Sequence, residues 1–188
     1  MHARYWMIGL VLLLGWITVP SMATGQAYMT RTGHAEFTSS VPLHSFTGTS
    51  EHLVGKINLP DSTVDFYLDL TTLETGIGKR DKDMRTTLET DEYPFAEFFG
   101  TLVSPFDPTR REPQPATVRG EFKLHGVTRT VTIDGTLQMT PDGLQLEAAW
   151  EINLNDYNIE PPSLLIVRVD EIQKVRIEAM LEPVDESS

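Results

Sequence analysis

The sequence predicts an all-β protein of about eight antiparallel strands with one short helix, closed as a barrel or stacked as a sandwich. Three observations carry this. Apolar and polar residues alternate with period two through most of the chain, turn-forming clusters separate the alternating runs, and a single segment has helical spacing.

The alternation is plainest in Thr63–Leu70, where Val64, Phe66, Leu68 and Leu70 share one face and Thr63, Asp65, Tyr67 and Asp69 the other. Val118, Gly120, Phe122 and Leu124 form a second such set, and Val131, Ile133, Gly135, Leu137 and Met139 a third. Leu144, Leu146, Ala148, Trp150, Ile152 and Leu154 form a fourth, and Val175, Ile177, Ala179 and Leu181 a fifth. One face buried and one face wet is the signature of antiparallel sheet. Strands are expected over 43–50, 51–59, 63–70, 95–103, 115–125, 128–139, 143–155 and 171–182, with a further one near 34–39. Leu59-Pro60-Asp61-Ser62, His125-Gly126-Val127-Thr128 and Pro141-Asp142-Gly143 supply the turns.

In Lys79–Thr90, Met84 and Leu88 stand four apart among charges, which predicts a short surface helix capped by Asp81 or Asp83 and ended before Pro94. Such a helix would cover an open end of the β structure. Residues 104–116 hold four prolines and two arginines and read as an exposed loop.

The chain opens with Arg4, an uncharged run and an apolar core from Trp6 to Val19, then Pro20 and small residues. This is the anatomy of a signal peptide, expected to span 1–27, with cleavage after Ala23 or Ala27. An uncleaved N-terminal membrane anchor is the alternative. Either leaves the domain outside the cytoplasm, periplasmic or secreted. The folded domain is expected over 34–182, followed by a disordered acidic tail at 183–188.

The formal charge is −12, and loss of a leader carrying Arg4 and no acid leaves −13. That excludes a basic nucleic-acid footprint and keeps the protein soluble. The absence of cysteine rules out disulfides, thiolate metal sites and a lipoprotein anchor. No pair among His2, His34, His44, His52 and His125 has metal-ligand spacing. Thr75-Gly76-Ile77-Gly78-Lys79 lacks phosphate-loop spacing, and no nucleophile elbow is present. No cofactor is expected, and catalysis, for instance by a hydrolase using His125 or His44, is the minor reading.

An eight-stranded barrel is just wide enough to fill with side chains or to hold one ligand. Small residues in mid-strand (Gly120, Gly135, Ala148, Ala179) lie among large inward ones such as Phe37, Phe46, Phe66, Phe122 and Trp150. They either leave an elongated channel or let their neighbours interdigitate in a filled core. Strand phase selects Phe37, Phe46, Phe66, Leu68, Phe98, Phe122, Leu124, Ile133, Leu137, Trp150 and Ile152 as lining residues.

Three stretches carry a family resemblance: Thr75-Gly76-Ile77-Gly78-Lys79-Arg80-Asp81 through Met84-Arg85 and Leu88 to Tyr93-Pro94-Phe95-Ala96-Glu97-Phe98; Gly120-Glu121-Phe122-Lys123-Leu124-His125-Gly126-Val127-Thr128-Arg129; and Leu154-Asn155-Asp156-Tyr157-Asn158-Ile159. In order and spacing they resemble the YceI-like family across roughly 34–182, although Asp83 stands where that family usually has His. The resemblance implies a lipocalin-like extended antiparallel barrel. It also implies an exported protein holding a polyisoprenoid or similar long-chain lipid, often as a homodimer; such a binder would work in solution or in transient proximity to a membrane. Arg80 and Asp81 are then either head-group contacts at the mouth or a structural pair. His125 either bonds backbone across its turn or meets the ligand. A non-catalytic interaction protein with a filled core is the rival reading.

Overall fold

The computed structural model describes residues 26–41, 44–161, 163–164 and 167–184, so the leader expected over the first residues lies almost wholly outside the described residues. Eight long strands form one closed antiparallel barrel. They are β1 (Ala27–Val41), β2 (His44–Asn58), β3 (Thr63–Asp69), β4 (Phe95–Leu102), β5 (Gln114–Leu124), β6 (Val127–Thr140), β7 (Gly143–Asn153) and β10 (Ile172–Val184). The short pair β8 (Ser163–Leu164) and β9 (Val167–Arg168) stands apart, and helix α1 (Gly78–Thr87) joins β3 to β4. Sequence neighbours pair around the wall, and β10 closes it by pairing with both β7 and β1.

The period-two faces dictate this closure. On β3, Val64, Phe66 and Leu68 are buried while Asp65 and Tyr67 face out. Phe98 on β4 lies opposite both Phe66 and Phe122, and Gly100 lies opposite Gly120, so β3, β4 and β5 present one continuous inner face. Closure removes the exposed sheet edges that an open meander would carry.

Two differences from the sequence expectation share one cause. The two strands expected over 43–50 and 51–59 are replaced by the single strand β2, His44–Asn58, and β1 begins at Ala27, well before residue 34. The register slips between Thr30 and Gly33 and again between Gly33 and Ala35, where Gly33 faces Leu53 and Ala35 faces Ser50. An extra residue there, on β1 and then on β2, is a β-bulge. It moves the buried set of β2 from Gly48 and Ser50 to Leu53, Gly55 and Ile57, an inversion of phase that reads in sequence as a break. At the other end β10 continues through Pro183 and Val184, which pair with Tyr28 and Ala27, two residues into the segment expected to be a tail.

Helix α1 covers one end of the barrel, where Leu154, Ile159 and Val169 and the β5–β6 turn also lie. Its N-cap is Ile77, not either expected aspartate. The opposite end is filled: Leu144 and Leu181 have no exposure, and Met139 and Tyr28 are buried beside them.

Candidate functional site: an apolar cavity beneath helix α1

The barrel interior holds a cavity of about 710 Å³ that is open to solvent. Phe37, Phe46, Phe66, Leu68, Phe98, Phe122, Leu124, Ile133, Leu137, Trp150 and Ile152, the residues selected by strand phase, all line it. Their rings pack edge to face: Phe37 on Phe46 at 6.2 Å and Phe122 on Trp150 at 6.1 Å. Glycines make room for them. A Cβ on Gly55 would stand 2.0 Å from the Phe66 ring, and one on Gly48 would stand 2.2 Å from the Phe37 ring.

Sequence reasoning missed several lining residues. Ala35, Ser39, Leu53 and Ile57 lie on β1 and β2, where the bulges hide the phase. Met84 and Leu88 of the α1 segment contribute to the roof, and Leu154, Ile159 and Val169 come from segment 154–171. The i, i+4 pair Met84 and Leu88 was the one sequence signal for that roof. Ser39 Oγ and Trp150 Nε1 are buried without a hydrogen-bond partner, each a desolvated polar atom at the cavity wall.

The three expected mouth residues part company. Arg80 lines the cavity: its guanidinium lies 4.4 Å from the Phe46 ring centroid. Its Nε donates to Thr75 Oγ1 at 2.8 Å, and a terminal nitrogen donates to the Thr75 carbonyl at 2.9 Å. Asp81 does not face the cavity. Its carboxylate accepts from the Thr75 backbone N–H at 2.8 Å and from the Thr75 hydroxyl, which hold its pKa below the ordinary carboxylate value. Arg80 and Asp81 thus clamp the chain where it enters α1, and Gly76 at φ +76° supplies the bend.

His125 is also away from the cavity lining, at a left-handed φ of 51° in the β5–β6 turn. Nδ1 donates to the Tyr157 carbonyl at 3.1 Å, Nε2 lies 3.1 Å from Glu89 Oε2, and the ring packs on Tyr93 at 4.9 Å. Its partners belong to other segments, so it ties the turn to the end of the α1 segment and to 154–157 rather than bonding across its own turn. Among the described residues no three His, Asp or Glu side chains are grouped to hold a metal.

A closed antiparallel barrel around an apolar cavity, roofed by one helix, defines a lipocalin-like protein with room for a single elongated hydrophobic molecule. The YceI-like domain model matches residues 28–182, and the chain belongs to that family. Solved structures with the same fold include a polyisoprenoid-binding domain from Saccharophagus degradans implicated in plant cell wall breakdown. It is 20% identical, with 86% of this chain and 100% of that one covered at a TM-score of 0.70. BcnA from Burkholderia cenocepacia is 14% identical over 79% of this chain and 96% of its own, at 0.62. The YceI protein of Campylobacter jejuni is 10% identical over 99% and 94%, at 0.54. No curated protein matches the chain.

Proposed function

We propose that this protein is an exported, non-catalytic carrier that holds one long apolar chain, an isoprenoid or similar lipid, inside the barrel. The observation that carries the reading is the 710 Å³ cavity, whose polar lining is confined to a few side chains, chiefly at the α1 end. The family membership and the polyisoprenoid-binding domain with the same fold support it.

In this reading the tail lies along Phe66, Phe98, Phe122 and Leu137, and the polar end stays near Arg80. Each buried methylene contributes roughly 0.8 kcal/mol, so affinity comes from the tail and needs no dedicated polar partner. Arg80, lying on Phe46, offers a cation to a head group without itself being buried in hydrocarbon.

Export follows from the leader anatomy. Cleavage after Ala23 is the favoured site, because Ala27 is buried and pairs with both Asn58 and Val184. Cleavage after Ala27 would remove the first residue of β1.

The test is native mass spectrometry of protein purified from its host's envelope, with identification of what it carries. A stoichiometric lipid adduct is expected. Protein that arrives bare and stays bare after incubation with polyprenyl lipids would sink the carrier reading.

A further inference from the structure

We infer that the cavity measures chain length, because the end of the barrel opposite α1 is closed; the inference rests on the carrier reading above and adds a length limit to it.

The limit is built into the wall. Leu137 and Leu146 pair across β6 and β7 and both line the cavity. Two pairs further down the same ladder, Met139 and Leu144 are 7% and 0% exposed and do not line it. Leu181, paired with Leu144 from β10, is likewise fully buried. These side chains pack shut the end of the barrel opposite α1, so a tail entering from the α1 end meets a floor. Pushing through it would displace three close-packed residues, whereas stopping at it leaves any further length at the mouth in water.

Affinity should therefore climb with length and then level off. Each methylene buried above the floor strengthens binding about four-fold, and each one beyond the limit adds nothing.

The experiment is a series of dissociation constants for polyprenols of ten to forty carbons, delivered from cyclodextrin to the full-length protein freed of lipid. Expected is a steep gain with length at the short end of the series and a plateau before 40 carbons. Ala148 faces the cavity between Gly135 and Ile177, so Ala148→Phe places a ring of six carbons in the space. It should move the plateau down by one isoprene unit. Affinity that keeps rising to 40 carbons overturns the length limit while leaving the carrier reading intact, and this wild-type series decides even if the variant does not fold. A plateau that Ala148→Phe leaves in place also overturns it. Binding of no chain at any length overturns both.

Discussion

Gly120 and Gly48 both lie on the inner surface of the barrel, yet alanine at the two sites should have very different consequences. A Cβ on Gly120 would stand 2.3 Å from the Phe99 carbonyl oxygen and 2.5 Å from Gly100 Cα. Both obstacles are backbone of the paired strand β4, so relief requires the strands to separate by about 0.7 Å, where real Cβ contacts begin at 3.0 Å. Overpacking of this kind costs about 1–3 kcal/mol, and a weakened ladder hydrogen bond adds roughly 1 kcal/mol. About 3 kcal/mol corresponds to a fall in Tm of about 6–12 °C at 2–4 °C per kcal/mol. The nearest atoms to a Cβ on Gly48 all belong to the Phe37 ring, the first at 2.2 Å, and that ring is half-buried with cavity space beside it. It can swing aside, so Gly48→Ala should cost under about 1 kcal/mol. Thermal and urea denaturation of both variants measures this. A Gly120→Ala protein within about 0.5 kcal/mol of wild type, or a Gly48→Ala protein as damaged as Gly120→Ala, would refute the distinction between backbone and side-chain obstruction.

Two further outcomes follow from the polar groups. His34 Nδ1 lies 2.6 Å from Glu51, with Glu36 beyond, and the hydrogen bond and charge raise its pKa. A raised folded pKa contributes stability that is complete below the unfolded value of about 6.5 and is lost as pH rises through the folded value. The urea midpoint should therefore decline across that window in wild type more than in His34→Gln, and parallel profiles would dismiss the pair. Arg80→Met removes both bonds to Thr75 and the charge over Phe46 but keeps an apolar stem. It should speed lipid exchange, followed by stopped-flow transfer to vesicles, while shifting the barrel's stability by no more than about 1 kcal/mol. Unchanged exchange would show that Arg80 holds neither roof nor head group.

What could be read from sequence divides along the bulges. On β3, β5, β6 and β7 the strands run without slips, so Phe66, Leu68, Phe122, Leu124, Ile133, Leu137, Trp150 and Ile152 lie where their phase puts them. On β1 and β2 a single inserted residue inverts the phase, and Leu53 and Ile57 cannot be assigned to the same face as Phe46 without knowing where the insertion falls. Asp81 and His125 were harder to place for a different reason. Spacing gives the segment that a polar side chain sits on but not the atom it reaches. His125 reaches Tyr157 and Glu89, more than thirty residues away in the chain. Asp81 reaches back six residues to Thr75, past the helix terminus it was expected to cap.

In the carrier reading, the size of the cavity links folding to loading. Cavities left by truncating core side chains cost about 24 cal/mol per Å³, which for 710 Å³ is an upper bound of about 17 kcal/mol. That exceeds the 5–15 kcal/mol by which whole domains are stable. Water entering beneath α1 lowers the true figure, but solvating apolar walls is itself unfavourable, so the filled state is the more stable one. A ligand at a hundred times its Kd stabilises the folded state by about 2.7 kcal/mol. At 2–4 °C per kcal/mol this is a rise in Tm of about 5–11 °C over the stripped protein. Calorimetry of the same preparation before and after lipid extraction, with occupancy checked by mass, measures it. Identical melting of loaded and stripped protein would mean that the walls relax to fill the space, and that the cavity has no bearing on stability.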